Sequence, residues 1–292
     1  MVEVENTFAE AFEAWYSRVL ITAINKKWAE IAAREACGYA TSLIGCDAEA
    51  GIDTFLSPKE TPDGRYGCVI QIWSNTKEGV ERALLNRIGQ CVLTCPTTRV
   101  WNFTESEDKY DLGYRLKYYG DGYEKEKEFR GRKIIEIPIM MGKFIIEKEV
   151  GIAKGVAGGN FIILAESEET ALKAGELAVK KISEIPGVIT PFPGGVCSAG
   201  SKIGSKRYKF MIASTNEIYC PTLSNIVGNS KVKDTKAALE VVINGITRER
   251  VEEAMRKGIK ECLHVEGVKR ISAGNYGGKL GKIHIHLRNI KI

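Results

Sequence analysis

GGNFIILAESEETALKAGELAVKKISEIPGVITPFPGGVC, residues 158 to 197, decides the fold. Its opening, GGNFIILAES (158–167), is an apolar run of strand length with β-branched and aromatic residues. Ser167 then stands where a helix cap belongs, and Ala171, Ala174, Ala178, Ile182 and Ile185 follow at three-or-four spacing, so one helix face packs on the sheet. The chain returns through GVITPFPGGVC (187–197). Next come a strand in AALEVVINGIT (237–247) and a helix over 248–262, with Val251, Ala254, Met255, Gly258, Ile259 and Cys262 on one face. VKRISAGNYGG and GKIHIHL close the chain in extended form.

The first half repeats that order. RVLIT (18–22) reads as a strand, 26–36 as a helix, and TSLIGC (41–46) and GCVIQIW (67–73) as strands. Asn75 can cap a second helix with Glu78 three residues on, and Val80, Ala83, Leu84, Arg87, Ile88 and Cys91 give it a mostly apolar face. CVLTCPTT (91–98) then returns as a strand. Strand, helix, strand, strand, helix, strand, given twice, predicts an α+β fold of two ferredoxin-like (split βαβ) lobes with antiparallel sheets, related by internal duplication. The expected lobes are 1–148, with a charged insertion at about 104–133 and an apolar strand pair at 134–146, and 149–292.

Composition bounds the function. The 292 residues suffice for about two domains, and no apolar run reaches the roughly 18 residues of a membrane span. The acidic start MVEVENTFAEAFEAW does not read as a secretion signal, which predicts a cytoplasmic protein. A chain of this size does not need disulfides to hold its core, so its eight scattered cysteines are expected reduced. The net charge of +5 is spread out, without the clustered basic footprint of a nucleic-acid binder. Neither a nucleic-acid nor a membrane partner is expected.

Metal and nucleophile chemistry find little support. His284 and His286 share one strand face, which suits a polar outer face better than a metal site, and no pair of CxxC motifs occurs. GxSxG, GxxxxGK[ST] and a helix-opening GxGxxG are absent too. The distinctive feature is glycine in pairs beside small polar residues: AGGNF (157–161), PFPGGVCSAGSKIGSK (191–206) and SAGNYGGKLGK (272–282). Such segments form either tight turns or a cleft wall that binds a flat polar ligand through main-chain groups.

With NTFAEAF (6–12), AEAGID (48–53), ETPDGR (60–65), IGQCVLTCPT (88–97), GDGY (120–123), GVAGGNF (155–161), PFPGG (191–195), ASTNEIYCPT (213–222), EVVING (240–245) and SAGNYGGKLG (272–281), the chain resembles the formylmethanofuran:tetrahydromethanopterin formyltransferases from residue 6 to its end. It departs at Asp47, where the family usually has proline, and in its positive charge, where the family is acidic. The resemblance implies transfer of a formyl group from formylmethanofuran to N5 of tetrahydromethanopterin, in the one-carbon pathway of methanogenic and related archaea. It implies no tightly bound cofactor, the two coenzymes as substrates, and a homodimer or homotetramer. It also implies that Glu240 is catalytic.

Period-two alternation puts Leu239, Val241 and Ile243 over the helices and Ala238, Glu240, Val242 and Asn244 on the opposite face. A Glu there is either solvated or, as the resemblance implies, enclosed in a cleft, protonated, and able to donate to the oxyanion of a tetrahedral intermediate. Gly158, Gly159, Asn160, Gly194, Gly195, Ser214, Thr215 and Asn216 are the expected substrate-binding residues. Two other readings stay open: a divergent paralogue using a related pterin, and a non-catalytic ligand-binding protein on the same lobes.

Overall fold

The computed structural model of the chain describes residues 2–200 and 202–290. Residues 1, 201 and 291–292, which the expected lobes and the segment 191–206 include, lie outside the described residues. The architecture is mixed α+β, in two compact units: residues 14–154, and residues 1–13 with 155–292. The expected division fell at 148/149 and left the first 13 residues with the other half.

In the unit of residues 14–154, strand Tyr66–Ser74 pairs antiparallel with both Glu49–Leu56 and the strand Phe8–Ala23, which also pairs with Arg99–Asn102. The hairpin Arg132–Ile139 and Gly142–Glu147 extends this sheet, turning at exposed Met140 and Met141. Helix Lys26–Cys37 buries an alanine face on it, and helix Lys77–Arg87 buries Val80, Ala83 and Leu84. The second is capped by Thr76, whose Oγ1 accepts from Gly79 N, and not by Asn75.

Two expected strands are corrected here. TSLIGC folds into turns in which the Ser42 carbonyl accepts from the N–H groups of Gly45 and Cys46. The strand lies instead at Glu49–Leu56, where Asp53 concealed it from a search for apolar alternation. Asp53 is buried because its Oδ2 accepts from Arg18 Nε at 2.8 Å and Gln71 Nε2 at 2.6 Å, while Trp73 Nε1 donates to Gln71 Oε1 at 2.9 Å. CVLTCPTT is likewise no strand. The helix runs on through a π-helical turn, Ile88–Val92, whose Ile88 and Val92 extend its apolar face, and the strand begins at Arg99. Part of the expected charged arm folds into the sheet as strand Lys125–Phe129, and Leu112 and Leu116 anchor a short helix between.

In the other unit, strand Ala153–Ala165 pairs antiparallel with Ala237–Gly245 on one side and Val268–Ser272 on the other. Val188–Ile189 adds to the far edge of Ala237–Gly245, and Glu3–Val4 runs parallel to Val268–Ser272. Helices Glu168–Ile182 and Arg248–Cys262, capped by Ser167 and Thr247, cover one face. The opposite face is covered by the unit's own connections: Val232 and Tyr219 pack against Ile162, Leu164 and Ala238.

Gly159 sits where that sheet meets a helix, and a Cβ there would lie 2.2 Å from Val251 Cγ1. Gly159→Ala is therefore expected to cost about 1–3 kcal/mol through overpacking, read as a lower urea midpoint. An unchanged midpoint would show that the helix shifts freely.

Candidate active site

Glu240 stands midway along strand Ala237–Gly245 and is only 4% exposed. Its backbone is fixed on both edges. Ile162 is its partner on one side; on the other Cys197 N donates to Glu240 O at 2.7 Å and Glu240 N to Cys197 O at 2.9 Å. Leu239, Val241 and Ile243 pack toward the helices, as alternation requires, which turns Glu240 and Ala238 the other way. Glu240 helps line a cavity with Ile162, Cys197, Gly200, Asn216, Tyr219 and Cys220.

Three weak acids lie near Glu240. Burial, followed by the charge of Glu240, pushes the Cys197 thiol up. The Tyr276 phenol is raised by burial first, then by Glu240 and Glu10. Tyr219 rises mainly through burial, with its Ser272 hydrogen bond opposing and Glu5 and Glu240 adding to it.

Asn160 organises the loop beyond this carboxyl. Its Oδ1 accepts from Gly274 N at 2.6 Å, and its Nδ2 donates to the carbonyls of Gly274 and Gly158, each at 3.1 Å. A Cβ on Gly274 would lie 3.2 Å from Asn160 Oδ1 and 3.4 Å from Glu240 Oε1, so the loop backbone rests against both side chains. Gly158, at φ 83°, donates its N–H to Asn244 Oδ1 at 3.0 Å.

The remaining expected binding residues separate. Asn216 lines the cavity, with Gly200 packed so closely that a Cβ would come 2.7 Å from Asn216 Cβ. Ser214 Oγ donates to the Gly204 carbonyl at 2.6 Å, and Thr215 is exposed with its Oγ1 3.3 Å from Cys220 Sγ. Ile203 and Ala213 bridge a loop that begins and ends at the cavity, and Lys202 and Lys206 both pair with Glu217 there. These lysines hold the Glu217 carboxyl down to about 2. Gly194 occupies an exposed left-handed turn. Gly195, like Gly159, lacks a side chain for packing reasons, since a Cβ would meet Val179 Cγ1 at 2.5 Å.

His284 and His286 flank the Phe8 ring, with centroids 4.7 and 5.2 Å from it. No group of three or more His, Cys, Asp or Glu side chains is arranged to hold a metal among the described residues. No helix among them is long and apolar enough to cross a membrane.

Glu10, which sequence reasoning did not single out, is 2% exposed. Burial opposes its ionisation, yet backbone N–H groups of Gly281, Tyr276, Leu280 and Gly278 outweigh it and hold the carboxyl below the ordinary range. The only signal was its place in NTFAEAF; its partners are some 270 positions away.

Comparison with known proteins agrees with this architecture. The family described as formylmethanofuran-tetrahydromethanopterin formyltransferase matches residues 1–139, and its proximal lobe matches residues 142–290. The formyltransferase of Methanocaldococcus jannaschii is 52% identical, covering 99% of this chain and 98% of its own. That of Methanothermobacter thermautotrophicus is 53% identical with the same coverage. Among solved structures, the Methanosarcina barkeri formyltransferase superposes with a TM-score of 0.95 at 50% identity, covering 99% of this chain and 98% of its own. A formyltransferase/hydrolase complex from Methylorubrum extorquens, solved with methylofuran, has a chain with a TM-score of 0.94 at 42% identity, covering 99% and 96%.

Fold and matches together define a transferase built of two α+β units. The chain belongs to the formylmethanofuran:tetrahydromethanopterin formyltransferase family.

Proposed function

We propose that the protein moves the formyl group of formylmethanofuran to N5 of tetrahydromethanopterin, and that Glu240 acts in its protonated form. The pterin N5 lone pair attacks the formyl carbon, and the C=O π electrons move to oxygen. The resulting tetrahedral intermediate collapses by expelling the methanofuran nitrogen, which gains a proton as N5 loses one. Glu240 O–H donates to the oxyanion.

The observation that carries this reading is the burial of Glu240 beside a cavity lined by Ile162, Ala238 and Cys197, since burial disfavours the ionised form of a carboxyl group. Asn160 and Asn216 are the polar side chains best placed to hold ligand edges, Asn160 through the Gly274 loop. The strand orders support the two-lobe reading. Arg99–Asn102, Phe8–Ala23, Tyr66–Ser74, Glu49–Leu56 in one unit, and Val268–Ser272, Ala153–Ala165, Ala237–Gly245, Val188–Ile189 in the other, both follow the split βαβ pattern 4-1-3-2. A homo-oligomer is part of the proposal, supported by the many large apolar side chains left outside the core, among them Phe210 and Ile226.

Purified protein mixed with formylmethanofuran and tetrahydromethanopterin is expected to generate N5-formyl product, followed by absorbance. Folded protein that turns over only with a different pterin would identify a paralogue, and turnover with none would overturn the reading.

A further inference from the structure

We infer that Glu10 is a positioning residue whose carboxylate anchors the glycine-rich loop 274–281 so that the loop forms a fixed wall beside Glu240. The inference rests on the formyl-transfer reading only for what kcat reports. Four backbone donors converge on this one side chain. Oε2 accepts from Tyr276 N at 2.7 Å and Gly278 N at 2.8 Å; Oε1 accepts from Leu280 N and Gly281 N, both at 2.6 Å.

A loop with glycines at 274, 277, 278 and 281 has many conformations to lose. A buried carboxylate without partners would be costly, so loop and carboxylate each satisfy what the other lacks. Gly281 shows how closely they meet, since a Cβ there would lie 2.9 Å from Glu10 Cγ.

The other end of the loop connects the anchor to the site. Asn160 grips Gly274 through both its N–H and its carbonyl, and Gly274 lies against Glu240 Oε1. His284, the cross-strand partner of Glu10, holds the loop from outside, with Nε2 3.1 Å from the Gly281 carbonyl and its ring beside Gly278. Tyr276 is pinned at its N–H by Glu10, and burial raises its phenol. Asn275 Nδ2 adds a tether to Thr7 Oγ1 at 3.2 Å and to the Phe8 carbonyl at 3.1 Å, but Glu10 holds four of the loop's amides, and releasing them lets the backbone there drift by distances that matter for a transition state.

The test is residue-resolved hydrogen exchange together with steady-state kinetics on Glu10→Gln, which keeps side-chain volume but replaces one acceptor oxygen by a donor. Exchange at residues 276, 278, 280 and 281 is expected to quicken by about 10-fold or more, with the helices unaffected. In parallel, kcat should fall by about 10-fold to 100-fold while KM changes little. Unchanged exchange at those amides overturns the anchor, and quickened exchange with unchanged kcat overturns its link to the site.

Should Glu10→Gln fail to fold, Gly278→Ala strains the loop from outside, because its φ of 72° disfavours a side chain and a Cβ would meet His284 at 3.0 Å. The same paired loss is expected, and its absence overturns the inference. Exchange does not depend on the reaction, so a loop loosened in a protein that moves no formyl group would sink the functional reading and leave the anchor standing.

Discussion

Replacing Glu240 by alanine is expected to lower kcat/KM by about 100-fold to 1,000-fold, the loss typical of removing one oxyanion donor. Glu240→Gln should retain clearly more activity than Glu240→Ala, because an amide still donates a hydrogen bond from nearly the same place. The contrast is informative because alanine and glutamine both remove the acid, while only glutamine keeps the donor. An inactive Gln variant that folds and binds both coenzymes normally would instead assign Glu240 a proton-transferring or ionised role. The backbone of residue 240 is held on both edges, so neither substitution should disturb the strand. Circular dichroism and an unchanged urea midpoint check that premise.

The second large effect concerns stability. Asp53→Ala is expected to cost about 3–5 kcal/mol, because it strands the cation of a buried pair. The Asp53 side chain is fully buried and that of Arg18 is 14% exposed. The alanine also removes the acceptor of Gln71 Nε2, whose Oε1 in turn receives the Trp73 indole N–H. Equilibrium urea unfolding reads the loss; less than about 1 kcal/mol would mean that water replaces the carboxylate and that the network is no more than a surface ion pair.

That same network explains what sequence reading missed. Helices 168–182 and 248–262 were legible because apolar spacing and caps agree there, and the strand at 237–245 because its pattern alternates. The strand at 49–56 was hidden because its polar residues are paired inside the protein, which alternation of apolar and polar types cannot reveal. The stretch 91–98 misled for the opposite reason: its apolar residues serve the end of a helix, and hydrophobicity alone does not distinguish the two periods over so few residues.

The site divides in a similar way. Glu240 could be placed on its face from periodicity alone, whereas Glu10 works through main-chain donors brought to it by tertiary folding, a partnership with no side-chain signature. Of the glycine pairs, Gly158 takes the left-handed backbone of a bulge in its strand and Gly159 makes room for a helix, so adjacent glycines that look equivalent in sequence answer to different constraints.

The edge pairing of strand Ala237–Gly245 has a consequence for the life of the chain in a crowded cell. Val188, Ile189 and Cys197 occupy the side that Ala153–Ala165 does not, so much of an apolar strand with strong β-propensity offers no free ladder to a neighbouring molecule. A proteolytic nick near Gly194, in an exposed turn, would loosen that cover. The segment at greatest risk of self-association is then the one that carries the acid, and loss of function and aggregation would begin at the same place.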